Sequence, residues 1–242
     1  MSFRENVIKL SNRMLLISRD KSYIYVKAKY GPSRIVKLPL KLGEDLTCFI
    51  AVVIGDGYLS KEKFRTTIEC CNKNLLEALS RIVKLNFDIE PTIKEIKKRP
   101  GKLQTYHLSI YSKAVQELLN LVLKIPRGKK SNVVRVPEYI IKSNPKLCAS
   151  FIIGLLAAEG SRKGKNYLRI CSASRNLLED TKKMLKQLKL SSKINSWINK
   201  KYKKEYYSLS FERNLKSLMR GCRSGQTGLI LSLFNKAIGD QA

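Results

Sequence analysis

Histidine and acidic side chains are the scarce residues of this chain. It has 242 residues, one histidine, one tryptophan and 19 acids against 48 lysines and arginines. With His107 alone, and with Cys48, Cys70, Cys71, Cys148, Cys171 and Cys222 showing no C-x-x-C spacing, the usual zinc frameworks are excluded. Most of those cysteines lie in apolar or alternating runs, as reduced, buried thiols do in a reducing compartment. The longest apolar run, CASFIIGLLAA (148–158), falls short of the ~20 residues a membrane-spanning helix needs, and no membrane partner is expected. No secretory leader is read at the start, so a cytoplasmic, nucleoid-associated or organellar setting is expected.

What the chain has in excess is positive charge. A net +29 opposes compaction through self-repulsion, and that cost points to a polyanionic partner. A lysine-rich surface of the heat-adapted kind would carry matching glutamate, and this chain does not. Nucleic acid fits, because neutralised phosphates release condensed counterions and so drive association.

An internal repeat organises the rest. FIAVVIGDG (49–57) and IIGLLAAEG (152–160) are apolar, small-residue helical runs that end in acid-glycine, with Asp56 and Glu159 103 residues apart. Downstream, TTIECCNKNLLE (66–77) matches LRICSASRNLLE (168–179) at an offset of 102. Alternating strand patterns follow each acid-glycine at 63–70 and 167–172. A helix is then expected after Asn74 and Asn176, each a candidate N-cap. Two more strands follow in each copy, at 88–112 and 191–212, the first pair joined by a turn at Arg99-Pro100-Gly101-Lys102. Closing helices are expected at 113–123 and 214–222.

The unit is α-β-β-α-β-β-α, present twice, in an α+β protein of two pseudo-symmetric halves. The expected division is an N-terminal β-hairpin extension (1–43, turning at Gly31-Pro32), a first repeat (44–123), a basic linker (124–146), a second repeat (147–222) and a tail (223–242).

Small residues let the two motif helices approach closely, Ala51 and Gly55 facing Gly154, Ala157 and Ala158. That contact brings two helix C-termini together, each carrying a carboxylate at the negative end of its macrodipole. Folding alone gives no reason for this placement. A divalent cation does, since it cancels the charge and can activate water against a phosphodiester.

With these two motifs, and with Val136-Pro137-Glu138-Tyr139-Ile140 leading into the second, the chain resembles the LAGLIDADG homing endonucleases in their single-chain, two-motif form. The resemblance covers roughly 38–222. No Ser/Cys start and no His-Asn end is read, so a whole intein is not expected.

The resemblance implies a saddle of antiparallel strands in the DNA major groove and a monomeric, metal-dependent double-strand endonuclease acting in intron homing. Its metal would be Mg2+, with Mn2+ or Ca2+ able to substitute in binding. Asp56 and Glu159, with the Gly55 and Ala158 carbonyls, would hold the metal. Lys73 and Lys163, with Arg162 as a further candidate, would supply the active-site base or cation. The strand-end positions hold Cys70 and Cys71, with Asn72 and Lys73 just beyond, in one copy and Ser172, Ala173, Ser174 and Arg175 in the other, so the resemblance does not by itself place the supporting lysine.

If Ile68, Leu108, Ile110, Ile170, Ile194, Ile198, Leu209 and Phe211 face the core, alternation turns the opposite set outward. In copy one that set is Arg65, Thr67, Glu69, Lys94, His107, Ser109 and Tyr111. In copy two it is Tyr167, Arg169, Asn195, Trp197, Asn199, Tyr206, Ser208 and Ser210. These are residue types that read base edges. Lys97, Lys98, Arg99 and Lys102, Lys200, Lys201, Lys203 and Lys204, and Lys129 and Lys130 in the linker, are expected to hold phosphates. The alternative reading is a catalytically weak relative, either a maturase with intron RNA as partner or a DNA-binding regulator.

Overall fold

The computed structural model describes residues 2–29, 34–97, 100–101, 103–164, 166–200, 203–213, 218 and 225–239. At its centre two apolar helices, α2 (Glu44–Gly55) and α6 (Pro145–Glu159), pack against each other. Leu46 through Ile54 and Cys148 through Leu156 are all buried, so neither helix keeps a solvent face over that stretch. A helix apolar all round belongs in a core. Asn144 starts α6 by accepting from the Leu147 amide at 3.1 Å, with Pro145 at the first helical position.

The contact rests on small residues, as the sequence leads one to expect. A Cβ placed on Gly154 would lie 2.2 Å from the Cys48 carbonyl oxygen and 2.9 Å from the Ala51 Cβ. One placed on Gly55 would lie 2.5 Å from the Ala158 Cβ and 3.1 Å from the Glu159 Cγ.

Each helix feeds a four-stranded antiparallel sheet. The first repeat has β4 (Gly57–Leu59), β5 (Arg65–Cys70), β6 (Thr92–Ile96) and β7 (Thr105–Tyr111), ordered β4-β5-β7-β6. The second has β8 (Gly160–Lys163), β9 (Tyr167–Ser172), β10 (Ser192–Asn199) and β11 (Lys204–Glu212), ordered β8-β9-β11-β10. The registers match: Gly57 pairs with Ile68, and Gly160 with Ile170. The α+β class and the two repeated halves are those read from the sequence.

One sheet face is sealed by α3 (Lys73–Phe87) and α7 (Arg175–Gln187), which bury Ile68, Leu108, Ile110, Ile170, Leu209 and Phe211. Ile194 is partly buried against this core. Ile198 departs from expectation at 71% exposed: it pairs with Glu205 near the hairpin end, outside the buried cluster. The helix caps also differ. Asn72 and Ser174, two residues before the expected Asn74 and Asn176, accept from the Leu75 and Leu177 amides. Only the residue still in extended geometry can turn its side chain back onto the first free amides.

The first repeat closes with α4 (Lys113–Glu117), which widens into a π-helical turn at Leu118–Val122. Of the closing helix expected at 214–222, only Leu218 is described, and it is buried. Before the repeats come α1 (Phe3–Ser11), then β1 (Leu15–Arg19), β2 (Tyr23–Lys27) and β3 (Ile35–Pro39) as a three-stranded antiparallel sheet. Sequence patterning reads β2 and β3 but misses α1 and β1. The Gly31-Pro32 turn lies outside the described residues. Between the repeats lies a short helix, α5 (Glu138–Ile141). Last, α8 (Gly225–Gly239) packs on α6, α3 and α2, with the Thr227 amide and hydroxyl both donating to Asp45 Oδ1.

Gly154→Ala gains about 1 kcal/mol of helix propensity but drives a methyl into a backbone oxygen that cannot yield. A net loss of about 1–2 kcal/mol is expected in urea unfolding. Gly228→Ala in α8, where nothing lies within 4 Å, should instead be neutral or stabilising. Equal stabilisation by both substitutions would contradict the tight crossing.

Candidate active site

Asp56 is the C-cap of α2 and Glu159 the last residue of α6. In each case the next residue is the glycine that opens the edge strand of its sheet. A Cβ there would meet the preceding helical turn, at 2.5 Å from the Val53 oxygen for Gly57 and 2.2 Å from the Leu156 oxygen for Gly160. The acid-glycine pair is thus a helix-to-strand reversal too tight for a side chain after the acid. Because the helices touch through Gly55 and Ala158, the two carboxylates come within electrostatic range of each other at the seam between the repeats.

Both are half-buried, and their charge is poorly accommodated. Burial, then the neighbouring Glu159 carboxylate, pushes Asp56 up to about 7; Lys130 opposes this and Glu69 adds to it. Burial likewise raises Glu159, again against Lys130. Among the described residues, no side chain forms an ion pair with either acid.

Lys130 is the residue the sequence reading misplaced. It was expected on the surface against phosphate, but it is 8% exposed and points inward. Its Nζ donates to the Ile54 oxygen at 2.6 Å and the Gly55 oxygen at 2.8 Å, carbonyls at the C-terminal end of α2. Burial lowers its pKa while Glu159 and Asp56 pull it back up. An ammonium holds the α2 end and partly offsets both carboxylates. No sequence pattern marks it apart from Lys129, which is exposed.

The other candidate cations stand elsewhere. Lys73 is exposed in the first turn of α3. Lys163 lies three residues along β8, about 10 Å of strand beyond Gly160, where its Nζ donates to Ser210 Oγ at 3.3 Å. Arg162 donates to the Gly164 oxygen. Lys73 stands in solvent and Lys163 is turned to Ser210, and among the described residues neither bonds to Asp56 or Glu159.

A hard divalent cation fits the two carboxylates; the Cys70 and Cys171 thiols lie within electrostatic range of Asp56 and Glu159, and burial keeps both protonated. The described residues contain no group of three or more His, Cys, Asp or Glu side chains able to hold a metal. Two protein carboxylates would leave a bound divalent ion's remaining coordination to water and substrate oxygens. The Gly55 carbonyl, a candidate ligand, already accepts from Lys130. Ala158 presents its methyl to the helix contact.

On the sheet face away from α3, cross-strand rows group the candidate contact residues. Arg65 pairs with Tyr111, Thr67 with Ser109, and Glu69 with His107, which pairs in turn with Lys94. In the second sheet Arg169 pairs with Ser210, Asn195 with Ser208, Trp197 with Tyr206 and Asn199 with Lys204; Tyr167 pairs with Lys163. The same registers add Tyr58, Thr92, Ser161 and Lys193, which alternation in single strands did not pick out.

Ser208 and Ser210 are each 7% exposed, contrary to the expectation of open contacts: short side chains sink between longer neighbours. Lys97, Lys200, Lys203 and Lys204 are exposed. Lys98, Arg99, Lys102 and Lys201 lie outside the described residues.

The family model for the LAGLIDADG-like domain matches residues 45–121 and again 146–221. The chain belongs to the LAGLIDADG family. Segments similar to this LAGLIDADG protein lie within larger relatives. It is 28% identical over 196 residues to the probable translation initiation factor IF-2 of Methanocaldococcus jannaschii, covering 77% of this chain and 16% of that protein. It is 32% identical over 158 residues to an A-type ATP synthase subunit of Pyrococcus abyssi, covering 64% and 14%. The chain therefore spans less than a fifth of these curated relatives.

Among solved structures, the homing endonuclease I-DmoI with nicked target DNA and Mn aligns at TM-score 0.53 and 21% identity, over 78% of this chain and 96% of that one. The DNA-bound homing endonuclease I-WcaI aligns at TM-score 0.50 and 17% identity, over 78% and 85%. At these identities the likeness is one of fold.

In this LAGLIDADG protein Asp56 takes up its proton near pH 7 when folded but near pH 3.9 when unfolded. Between those values the folded state holds more protons, so rising pH erodes stability. Without divalent metal, Asp56→Asn should melt above the wild type at pH 8 by roughly 3–8 °C, and the gap should close towards pH 4. A gap that does not change with pH in calorimetric scans would contradict the crowding of the carboxylates.

Proposed function

We propose that the protein is a site-specific, divalent-metal-dependent endonuclease that cuts both strands of a long asymmetric DNA duplex while acting as a single chain. The observation that carries this is the meeting of Asp56 and Glu159, one from each repeat, at the seam joined by Gly55 and Ala158. Two crowded carboxylates are a cost without a cation. Beside phosphates they would weaken binding unless they did chemistry.

Asp56 and Glu159 would hold the cation, Mg2+ by donor type. A bound divalent ion supplies charge neutralisation at the phosphate and a water of lowered pKa. Lys130 keeps the end of α2 closed, so that Asp56 stays against Glu159 despite their repulsion. The two polar sheet faces, one per repeat, would lie along the major groove and align the backbone with the seam. The fold-related I-DmoI structures were obtained with target DNA and Mn or Ca, in keeping with this reading.

The larger relatives support a mobile origin. A translation factor, a replication factor and an ATP synthase component have no function in common, yet each contains a segment like this chain. An inserted element encoding its own nuclease accounts for that distribution.

A second reading, a nucleic-acid binder without cleavage, draws on the position of the lysines. Lys130 is tied to backbone carbonyls, and neither Lys73 nor Lys163 reaches the acids. The WhiA fold, aligned at TM-score 0.50 and 14% identity, is similar as well.

Cleavage of DNA spanning the site where the gene is inserted separates the two readings. In Mg2+, Asp56→Asn and Glu159→Gln should each lower the cleavage rate by roughly 10³-fold, with duplex affinity in Ca2+ held within about tenfold. Cleavage by either variant at the wild-type rate would sink the mechanism. Metal-independent binding by the wild type with no cutting would favour the second reading.

A further inference from the structure

A carboxylate on the polar sheet face requires explanation in a chain with so few acids. Glu69 is 59% exposed in its side chain, on β5, one strand from the edge strand that begins right after Asp56. Gly57 pairs with Ile68, so Glu69, the next residue of β5, lies alongside Asp56 at the seam, and its charge acts on that acid. Against a phosphate backbone that charge is repulsive. A carboxylate on this face is useful where it can accept a hydrogen bond from an exocyclic amine on a base edge, cytosine N4 above all.

The neighbours make the assignment more specific. Register aligns Glu69, His107 and Lys94 in one row across β5, β7 and β6. His107 Nε2 lies 3.0 Å from Glu69 Oε2, holding the carboxylate in place. The row therefore offers a donor at Lys94 and an acceptor at Glu69, about two strand spacings apart, on side chains long enough to converge. The major-groove edge of a G·C pair presents the complement: acceptors at guanine N7 and O6, then a donor at cytosine N4. An A·T pair would set thymine O4 or its methyl group against the carboxylate.

The second repeat has nothing equivalent. The row in the same place is Asn195, Ser208 and Cys171, without a charge pair.

We infer that the Lys94–His107–Glu69 row reads one G·C base pair in the half-site bound by the first repeat, close to the cleavage point. Glu69 accepts from cytosine N4, Lys94 donates to guanine O6 and N7, and His107 is a positioning residue that aims Glu69. This rests on the DNA-binding reading above and adds to it the identity of a base.

Selection of duplexes from a randomised library, with the full chain in Ca2+ and the bound pool sequenced, tests both levels separately. The wild type should enrich a consensus that contains a G·C pair near its centre. Glu69→Gln should lose roughly 5- to 150-fold of the preference at that position and leave the others intact. His107→Ala should weaken the same position, with His107→Gln restoring it, because an amide can still donate to the carboxylate.

If the wild type enriches a site but Glu69→Gln yields an unchanged profile, the inference is overturned while DNA binding stands. Flattening of every position by Glu69→Gln overturns it too, because it would mark a structural role. No enrichment by the wild type would remove the DNA-binding reading itself, and the base assignment with it.

Discussion

Everything distinctive about this molecule follows from how closely two helices cross. Gly154 lies against the Cys48 carbonyl, and Gly55 against Ala158 and Glu159, with no room for even a methyl group. That approach gains dispersion contact and burial along both apolar helices. It also forces together two carboxylates that would otherwise stand apart in water. Stability and electrostatics are set against each other at one point: the apolar seam supplies the favourable free energy, and the acid pair at its end consumes part of it. Such local frustration is expected at functional sites.

Lys130 shows how the conflict is moderated. A buried ammonium on the linker satisfies carbonyls that the end of α2 leaves free, and its charge lies near both acids. Burial, and then the Glu159 charge, outweigh this one cation and still hold Asp56 near 7. The protein alone therefore leaves the centre electrostatically incomplete, and under the proposed function a second, exchangeable cation would complete it. A permanent salt bridge to each acid would remove that deficit, and with it the electrostatic reason for a cation to bind there.

Much of this was legible in the sequence because repetition doubles weak signals. One apolar run ending in acid-glycine is ambiguous; two of them 103 residues apart, with a downstream match at an offset of 102, fix the helix pair, the seam and both acids. Alternation likewise placed Ile68, Ile170, Leu209 and Phe211 inside. What failed was information that one strand or one loop does not carry. Lys130 and Lys129 are indistinguishable as letters, and only the path of the linker turns one inward. Ile198 looks like a core residue by period, but the sheet outruns its helical cover there. Ser208 and Ser210 have the right parity and too little length. The strand β1 exposes every residue, so it has no alternation to detect.

The two halves share a frame without sharing a surface. Equivalent positions carry Glu69 in one repeat and Cys171 in the other, His107 opposite Ser208, Lys94 opposite Asn195. The helix seam cannot diverge in this way, because any side chain added at Gly55 or Gly154 collides with the partner helix. The polar faces are under no such constraint, since among the described residues no extensive packing joins one sheet to the other. Joining the repeats in one chain separates these demands: the seam is held nearly symmetric by packing, while each face is free to match its own stretch of partner. An asymmetric partner is the natural counterpart of that arrangement, and the linker lysine extends the asymmetry to the centre by bonding to α2.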